Sequence, residues 1–100
     1  MAALQIDPAV RDYLAALKQT HANLSAIYLY GSRARGDAEP RSDYDLALDM
    51  PLATNQERAV MRQTLTEGMP TLCKVDVVIL NELTDLHFIE RIRAEGVVVA

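Results

Sequence analysis

Residues 30–49, which read YGSRARGDAEPRSDYDLALD, constrain this chain more than any other stretch because they place two acids on one strand face. Gly31 and Ser32 follow an apolar run directly, and an extended pattern resumes at Asp43. Side chains alternate between the two faces of a strand, so Asp43 and Asp45 point the same way, about 6.5 Å apart along it. Two like charges side by side are unfavourable unless a cation lies between them. The simplest candidate for that cation is a divalent metal ion.

The size and charge of the chain limit its class. With 100 residues, 50% of them hydrophobic, it is long enough for one domain with a real core and too short for two. We therefore expect residues 1–100 to form a single domain. The formal net charge of -4 argues against a protein that holds long nucleic acid mainly through phosphate neutralisation. Three arginines, Arg33, Arg35 and Arg41, nevertheless cluster in the loop before the aspartates, which suits a small polyphosphate better than a duplex.

The single cysteine and the apolar pattern bear on the compartment. Cys73 cannot form an internal disulfide, which fits a reducing compartment, and its place beside an apolar run favours buried packing. No stretch approaches the roughly 20 apolar residues of a membrane span, and the N-terminus does not have the pattern of a secretion signal. The sequence thus predicts a soluble cytoplasmic protein without a membrane partner.

Hydrophobic periodicity and capping signals predict alternating helices and strands. The predicted elements are a helix capped by Asp7 and ending near 20–23, a strand over 24–30, a strand from Asp43 to about Asp49, a helix from the Thr54–Glu57 capping box to Gly68, a strand over 72–80, a helix from Asn81 or Thr84 to Glu95, and a short edge strand over 97–99. In the last helix, Leu83, Leu86, Ile89 and Ile92 have the spacing of buried residues.

One charge interrupts the apolar run from Leu72 to Leu80, and that charge is Asp76. The run is otherwise typical of an interior strand that is covered on both faces. A carboxylate in such a strand should be ion-paired, metal-bound or at a cavity. An ion pair with Lys74, or with an arginine from elsewhere, therefore remains open as a structural explanation.

The three acids can converge if this third strand lies beside the second. Asp43, Asp45 and Asp76 would then meet at one edge of the sheet, whereas Asp49 is interpreted as a solvated strand-end carboxylate. Mg²⁺ prefers octahedral oxygen ligands and is commonly held by carboxylates, waters and substrate phosphates. Three carboxylates and a triphosphate would complete such a site, with one ion or with two about 3.5–4 Å apart.

These residues resemble a known signature. Gly31-Ser32, ten intervening residues and Asp43-x-Asp45 reproduce the Gly-Ser-x10-Asp-x-Asp pattern of the DNA polymerase β-like nucleotidyltransferases, and Asp76 stands where that superfamily has its third carboxylate. Essentially the whole chain is similar to the minimal nucleotidyltransferases of the MntA type, the antitoxin partners of HEPN-domain toxins. The resemblance implies an α/β (α+β) fold with a small mixed sheet flanked by helices, two Mg²⁺ ions and ATP as the nucleotide donor.

The resemblance also implies roles for individual residues. Asp43 and Asp45 would ligate both metal ions, and Asp76 would ligate one of them while helping to deprotonate the incoming hydroxyl. Gly31 and Ser32 would hold the triphosphate tail.

The sequence leaves the roles of two arginines open. Arg33 and Arg35 either add phosphate contacts or form a solvated arginine pair.

The leading hypothesis is an antitoxin that transfers AMP from ATP to a tyrosine hydroxyl of a cognate HEPN-family RNase toxin, with which it forms a hetero-oligomer. The alternative is a catalytically silent antitoxin that neutralises the toxin by complex formation only. A calcium module is disfavoured, because residues 43–49 lack the loop glycine and the distal glutamate of an EF-hand.

Overall fold

A computed structural model describes residues 4–100 and gives the order of helices and strands that the sequence predicts. The elements are α1 (Pro8–Thr20), β1 (Ala26–Tyr30), α2 (Ser32–Arg35), β2 (Tyr44–Asp49), α3 (Asn55–Gly68), β3 (Val75–Ile79), a 3-10 helix (Leu80–Glu82), α4 (Leu86–Glu95) and β4 (Val97–Val98).

The strands form one mixed sheet in the order β3-β2-β1-β4. Strand β1 is antiparallel to both β2 and β4, whereas β2 and β3 are parallel. A parallel pair needs a crossover connection, and α3 supplies it. The predicted α/β fold with a small mixed sheet is therefore confirmed.

Alternation along β2 separates the core from the acids. Tyr44, Leu46 and Leu48 are fully buried on one face of the sheet. They pack in the main core together with residues from α1, β1 and α3, among them Val10, Leu14, Leu17, Ile27, Leu29, Met61 and Leu65. Helices α1 and α3 thus cover one face of the sheet, and Asp45 belongs to the other face.

A smaller apolar cluster covers part of this second face. Ala47 is fully buried there against Ile92 of α4 and Leu80, with the half-buried Tyr28 and Tyr30 beside them. Because Ala47 and Asp45 have the same parity on β2, the acid lies on the face that carries α4.

The prediction of an interior third strand is wrong. Strand β3 lies at the edge of the sheet, is limited to Val75–Ile79, and is half-buried at every position before Ile79. Val75 and Val77 pack on the main core, whereas Val78 packs on the smaller cluster. The continuous apolar run therefore indicates that both faces of β3 are covered. It does not indicate whether another strand lies on each side of β3.

The helix ends agree with most of the sequence signals. The capping box of α3 is present, since Thr54 Oγ1 accepts from the Glu57 N–H and the Glu57 carboxylate accepts from the Thr54 N–H. At the end of α1, His21 Nδ1 lies 2.9 Å from the carbonyl oxygen of Leu17, which fits a helix-end role. Asp7 occupies the N-cap position of α1, but its side chain makes no capping hydrogen bond, contrary to the prediction.

The last helix starts later than predicted. Asp85 caps α4 by accepting hydrogen bonds from the N–H groups of His87 and Phe88. Of the residues predicted to be buried in this part of the chain, Ile92 is buried but Leu86 is 70% exposed. In the part of the chain that the structure describes, no helix has both the length and the apolar character needed to cross a membrane.

Candidate active site

Two of the predicted acids are neighbours across a parallel strand pair. Asp45 on β2 and Asp76 on β3 are register partners, so their side chains leave the sheet side by side on one face. Asp45 is half-buried, whereas the Asp76 side chain is 44% exposed. The topology therefore brings together the second and third carboxylates, as predicted.

The first acid lies just before β2. The Tyr44 N–H donates to the Lys74 carbonyl at 2.9 Å, so the β2–β3 pairing continues to the residue next to Asp43. Asp43 is half-buried, and its charge acts on Asp45. The predicted set of three acids thus occupies one end of two adjacent strands.

Gly31 places the end of β1 directly against this acid pair. Its backbone has φ 73° and ψ -154°, a region that is essentially restricted to glycine. A Cβ added to Gly31 would collide with the carboxylate of Asp45. The position needs glycine twice over, once for the backbone turn and once for the close approach.

A serine directly after the glycine that ends a strand predicts that Ser32 caps a short helix over about 33–36, but the structure differs in detail. Ser32 is the first residue of α2, and the N-cap position belongs to Gly31. The N–H groups of Ala34 and Arg35 both donate to the Gly31 carbonyl at 3.1 Å. Since the first N–H groups of a helix lack partners within it, Ser32 and Arg33 present theirs at the end of α2 that adjoins Asp45.

The neighbouring acids perturb Asp45. Burial raises the pKa of the Asp45 carboxyl, and the negative charges of Asp76 and Asp43 raise it further, while Arg35 and Lys74 lower it. The ionised form of Asp45 is therefore disfavoured in this environment. A cation bound among these carboxylates would remove that cost.

Lys74 supplies part of the compensating charge. Its Nζ lies 3.6 Å from Asp76 Oδ1, which is the ion pair that the sequence left open as an alternative. The Lys74 side chain is 70% exposed and that of Asp76 is 44% exposed, and such surface pairs contribute little to stability. Among residues 4–100, no three acidic, histidine or cysteine side chains already stand close enough to hold a metal ion jointly. The predicted convergence is therefore partial: Asp45 and Asp76 adjoin, and Asp43 acts on Asp45 from just before β2.

The prediction for Arg33 needs correction. Its side chain is buried, only 6% exposed, and its guanidinium donates to the carbonyl oxygens of Gln5, Pro40 and Ser42 at 3.1–3.2 Å. Because its guanidinium donates to these backbone carbonyl oxygens, Arg33 is neither a phosphate contact nor part of a solvated pair. Nothing in the local sequence distinguishes it from an exposed arginine.

Arg35 remains compatible with the predicted phosphate contact. Its Nε lies 3.3 Å from Asp37 Oδ2 and its Nη1 lies 3.7 Å from Glu95 Oε2, with the side chain 49% exposed. Because these are surface ion pairs, they can be exchanged for a phosphate at small cost.

Sequence reasoning missed Tyr30 as a member of the site. It pairs with Asp45 across β1 and β2, and its ring meets Phe88 edge-on at a centroid distance of 5.9 Å. Burial raises the pKa of the Tyr30 hydroxyl to about 12, with further contributions from the charges of Asp45 and Asp76. The signal that could have identified it is its position directly before Gly31 in an antiparallel hairpin.

A cleft opens beside the acids on the side of β3. It has a volume of about 470 Å³ and is lined by Arg41, Asp43, Leu72, Cys73 and Lys74. Leu72 is fully exposed, and Cys73 is half-buried rather than buried as predicted. Gly31 approaches the acids from the β1 side of the sheet, whereas the cleft lies on the β3 side.

Comparison with known proteins settles the family. The model of the polymerase beta nucleotidyltransferase family matches residues 13–100. The chain belongs to this nucleotidyltransferase family. The matched region contains Gly31, Ser32 and all three acids of the site.

Solved structures agree on the fold of this nucleotidyltransferase. A crystal structure of a toxin–antitoxin with AMP-PNP superposes with a TM-score of 0.67 at 23% identity, covering 90% of this chain and 72% of that one. A mutant of the toxin–antitoxin MntA-HpeT gives a TM-score of 0.66 at 21% identity, with the same coverage. No curated protein matches the sequence at a significant level.

The donor set of the nucleotidyltransferase suits Mg²⁺. Carboxylate oxygens are the ligands that this ion prefers, and Asp43 lines an open cleft from which waters and phosphates can complete an octahedron. Burial raises the pKa of Asp45 and the charges of Asp76 and Asp43 raise it further, and a divalent cation would relieve the repulsion among these acids. The residues present therefore fit the metal that the family signature implies.

Proposed function

We propose that this chain is a Mg²⁺-dependent adenylyltransferase antitoxin of the MntA type. It transfers AMP from ATP to a tyrosine hydroxyl of a cognate HEPN-family RNase toxin in the cytoplasm, and the modification neutralises the toxin. Among the observations, the cross-strand pair of Asp45 and Asp76 beside Gly31 supports this most strongly, because the glycine brings a helix N-terminus against two adjacent acids.

The metal would be held by Asp43, Asp45 and Asp76. When bound, Mg²⁺ would screen the charges of the triphosphate and stabilise the pyrophosphate as it leaves. Gly31 and Ser32 would hold the phosphates, because the first N–H groups of α2 point toward an anion at this end. Arg35, which is half-exposed, would add a further phosphate contact.

The acids would also handle the proton. The tyrosine oxygen attacks the α-phosphorus of ATP, a new phosphorus–oxygen bond forms, and the bond to pyrophosphate breaks. The hydroxyl proton passes to a carboxylate, and Asp76 is the best placed because it lies on the edge strand β3, shortly after Lys74, which lines the cleft. Its 44% exposure also leaves it accessible to an incoming hydroxyl.

The cleft lined by Arg41, Leu72 and Lys74 is the proposed approach of the acceptor. With the phosphates held from the β1 side at Gly31, the β3 side remains open for the toxin. The exposed Leu72 offers an apolar contact to a protein segment, and a free nucleotide or drug would not need such a contact.

A toxin partner is supported by the two structural relatives. Both are toxin–antitoxin structures, and one of them was determined with AMP-PNP, an analogue of ATP. The second candidate function is neutralisation by complex formation alone. It is less favoured, because a purely binding surface has no need for two like charges side by side at Asp45 and Asp76.

Intact-mass measurement of the purified toxin tests the proposal. Incubation with this chain, ATP and Mg²⁺ should add the mass of AMP to the toxin, and a toxin variant lacking the modified tyrosine should stay unmodified. The double variant Asp43→Asn, Asp45→Asn should add nothing. If wild type blocks the toxin without adding mass, the binding-only function replaces the enzymatic one.

A further inference from the structure

The buried guanidinium of Arg33 ties together the loop that leads to the first acid. It donates to the carbonyl oxygen of Ser42, the residue before Asp43, at 3.1 Å, and to that of Pro40 at 3.2 Å. Its Nη2 also lies 3.5 Å from Cys73 Sγ, on the segment that enters β3. One side chain thus links α2, the loop of residues 36–43 (the α2–β2 loop) and the approach to β3.

Arg33 also contacts the residue that separates two acids. Its Cζ lies 3.9 Å from the centroid of the Tyr44 ring, and Tyr44 is fully buried between Asp43 and Asp45 in sequence. A buried guanidinium stacked on an aromatic ring is a rigid arrangement, because its planar fork satisfies several acceptors at fixed angles. Arg33 therefore fixes both residues that flank Asp43, because it binds the Ser42 carbonyl and stacks on the Tyr44 ring.

A segment before α1 completes the arrangement. The Gln5 N–H donates to the Arg33 carbonyl at 3.0 Å, and the Gln5 carbonyl accepts from Arg33 Nη1 at 3.1 Å. The Gln5 side chain pairs with the backbone of Ala38 in both directions, at 3.0 and 2.7 Å. Farther along, the Asp7 N–H donates to the Tyr44 hydroxyl at 3.1 Å. Residues 5–7 therefore brace the same loop from its other side, although they lie outside the family match of residues 13–100.

We infer that Gln5 and Arg33 are positioning residues, which fix the α2–β2 loop and thereby set Asp43 relative to Gly31 and Asp45. The inference rests on the proposed function, because it assigns these residues a part in nucleotide transfer. Each acts through the backbone of the loop, whose shape determines where the first carboxylate stands. A small displacement of a catalytic group costs about 100-fold in rate, so modest loosening of the loop should be visible in kcat.

Arg33→Lys and Arg33→Met test the role of the guanidinium. Lysine keeps the charge but lacks the fork, so both variants should lower kcat for AMP transfer by about 10- to 100-fold with ATP KM changed less than about threefold. A rise in ATP KM with kcat preserved would overturn the inference in favour of a direct phosphate contact.

Arg58→Met is the matched control. Arg58 donates from Nε and Nη2 to the Met50 carbonyl, just beyond the opposite end of β2, so its loss costs similar hydrogen bonds far from the acids. It should lower the thermal midpoint and leave kcat unchanged. Equal losses of kcat in Arg33→Met and Arg58→Met would reduce Arg33 to a general stabiliser and overturn the inference.

Gln5 gives a milder test that spares the core. Gln5→Ala removes both bonds to Ala38, whereas Gln5→Glu keeps the acceptor for the Ala38 N–H and loses only the donor. We expect kcat to fall by about tenfold for alanine and by less for glutamate, with the exposed Gln19→Ala as an inert control. Equal activity of wild type and Gln5→Ala would overturn the part assigned to Gln5.

Metal binding gives a readout that does not depend on transfer. Mn²⁺ titration by calorimetry should show weaker binding for Arg33→Met and Gln5→Ala than for wild type, and unchanged binding for Arg58→Met. If wild type binds Mn²⁺ but transfers no AMP, the proposed function is wrong. The Mn²⁺ affinities of the variants then still test the positioning of Asp43. If the four proteins bind Mn²⁺ alike, the positioning role fails.

Discussion

Asp45 and Asp76 are register partners on the adjacent parallel strands β2 and β3, so two carboxylates leave the same face of the sheet next to each other. Like charges in such a position destabilise a sheet, and burial adds to the cost by raising the pKa of the Asp45 carboxyl. The pair therefore lowers the stability of the metal-free fold, and under the proposed function a bound cation would offset this cost.

Replacing Asp45 by asparagine should therefore stabilise the metal-free protein. The gain expected from relieving one like-charge pair is about 0.2–1 kcal/mol at neutral pH, measured by urea unfolding in the presence of a chelator. With excess Mg²⁺ the order should reverse, because wild type gains binding free energy and the variant gains less.

Asp49→Asn is the control for this change. Asp49 lies at the other end of β2 and accepts a hydrogen bond from Asn81 Nδ2 at 3.1 Å. It should give neither a gain in stability nor a change in the response to Mg²⁺. An equal response of both variants would contradict the assignment of the metal to the acid pair.

Gly31→Ala should impair both the fold and the site. Its backbone conformation costs roughly 1–3 kcal/mol for a residue with a Cβ, and the new methyl group would displace the Asp45 carboxylate. We expect lower urea stability and at least a hundredfold loss of transfer, because a displaced ligand weakens metal stabilisation worth several kcal/mol.

Gly36→Ala separates strain from collision. Gly36 also has a positive φ, 83°, but it ends α2 in the left-handed region, where a non-glycine residue costs about 1–2 kcal/mol. It should lose stability and lose less of its transfer rate than Gly31→Ala, because it strains the start of the α2–β2 loop without displacing the Asp45 carboxylate. Equal loss of activity in the two variants would show that strain alone accounts for the effect of Gly31→Ala.

Lys74→Gln should tighten metal binding. In the metal-free protein Lys74 Nζ competes for Asp76 at 3.6 Å, and an exposed pair of this kind is worth about 0–1 kcal/mol. Removing it should therefore increase Mn²⁺ affinity by up to about fivefold in a calorimetric titration. Lys18→Gln, on α1, should leave the affinity unchanged, and a weaker affinity for Lys74→Gln would contradict competition.

The sequence predicts the order of elements and the acid pair because both follow from local periodicity. The alternation of Tyr44, Leu46 and Leu48 assigns the core face, and the same period assigns Asp45 to the opposite one. Convergence with Asp76 additionally required that β3 lie beside β2, which the apolar pattern could not establish. The edge position of β3 was missed for the same reason, since lateral neighbours leave no periodic signal.

Arg33 marks the other limit of sequence reasoning. An arginine in a polar loop is expected to be exposed, yet three carbonyl oxygens and the Tyr44 ring satisfy its guanidinium in the interior. Its partners, Gln5 among them, are brought together only by the tertiary fold. No spacing rule connects a residue before the first helix with a loop more than thirty residues later.

Glu57 should make the stability of the protein depend on pH. Its pKa is lowered mainly by the backbone hydrogen bond from Thr54, so its folded pKa lies below the unfolded value. The stabilisation is therefore complete above the unfolded pKa, about 4.3, and is lost as the pH falls through the folded pKa. The thermal midpoint of wild type relative to Glu57→Gln should decline between neutral pH and about pH 3. A difference in thermal midpoint between the two proteins that stays constant over this pH range would contradict the prediction.

Leu72→Asp should weaken the toxin as a substrate without affecting ATP. Leu72 is fully exposed at the cleft beside Asp43, and loss of an apolar contact at a protein interface typically costs 1–2 kcal/mol, or about tenfold in KM for the toxin. Leu52→Asp is the matched control, since Leu52 is also a highly exposed leucine but follows the far end of β2. Binding of a fluorescent ATP analogue should be equal in wild type and both variants. If Leu52→Asp raises the toxin KM instead, the acceptor approaches from the opposite end of the sheet and the cleft at Leu72 is not its route.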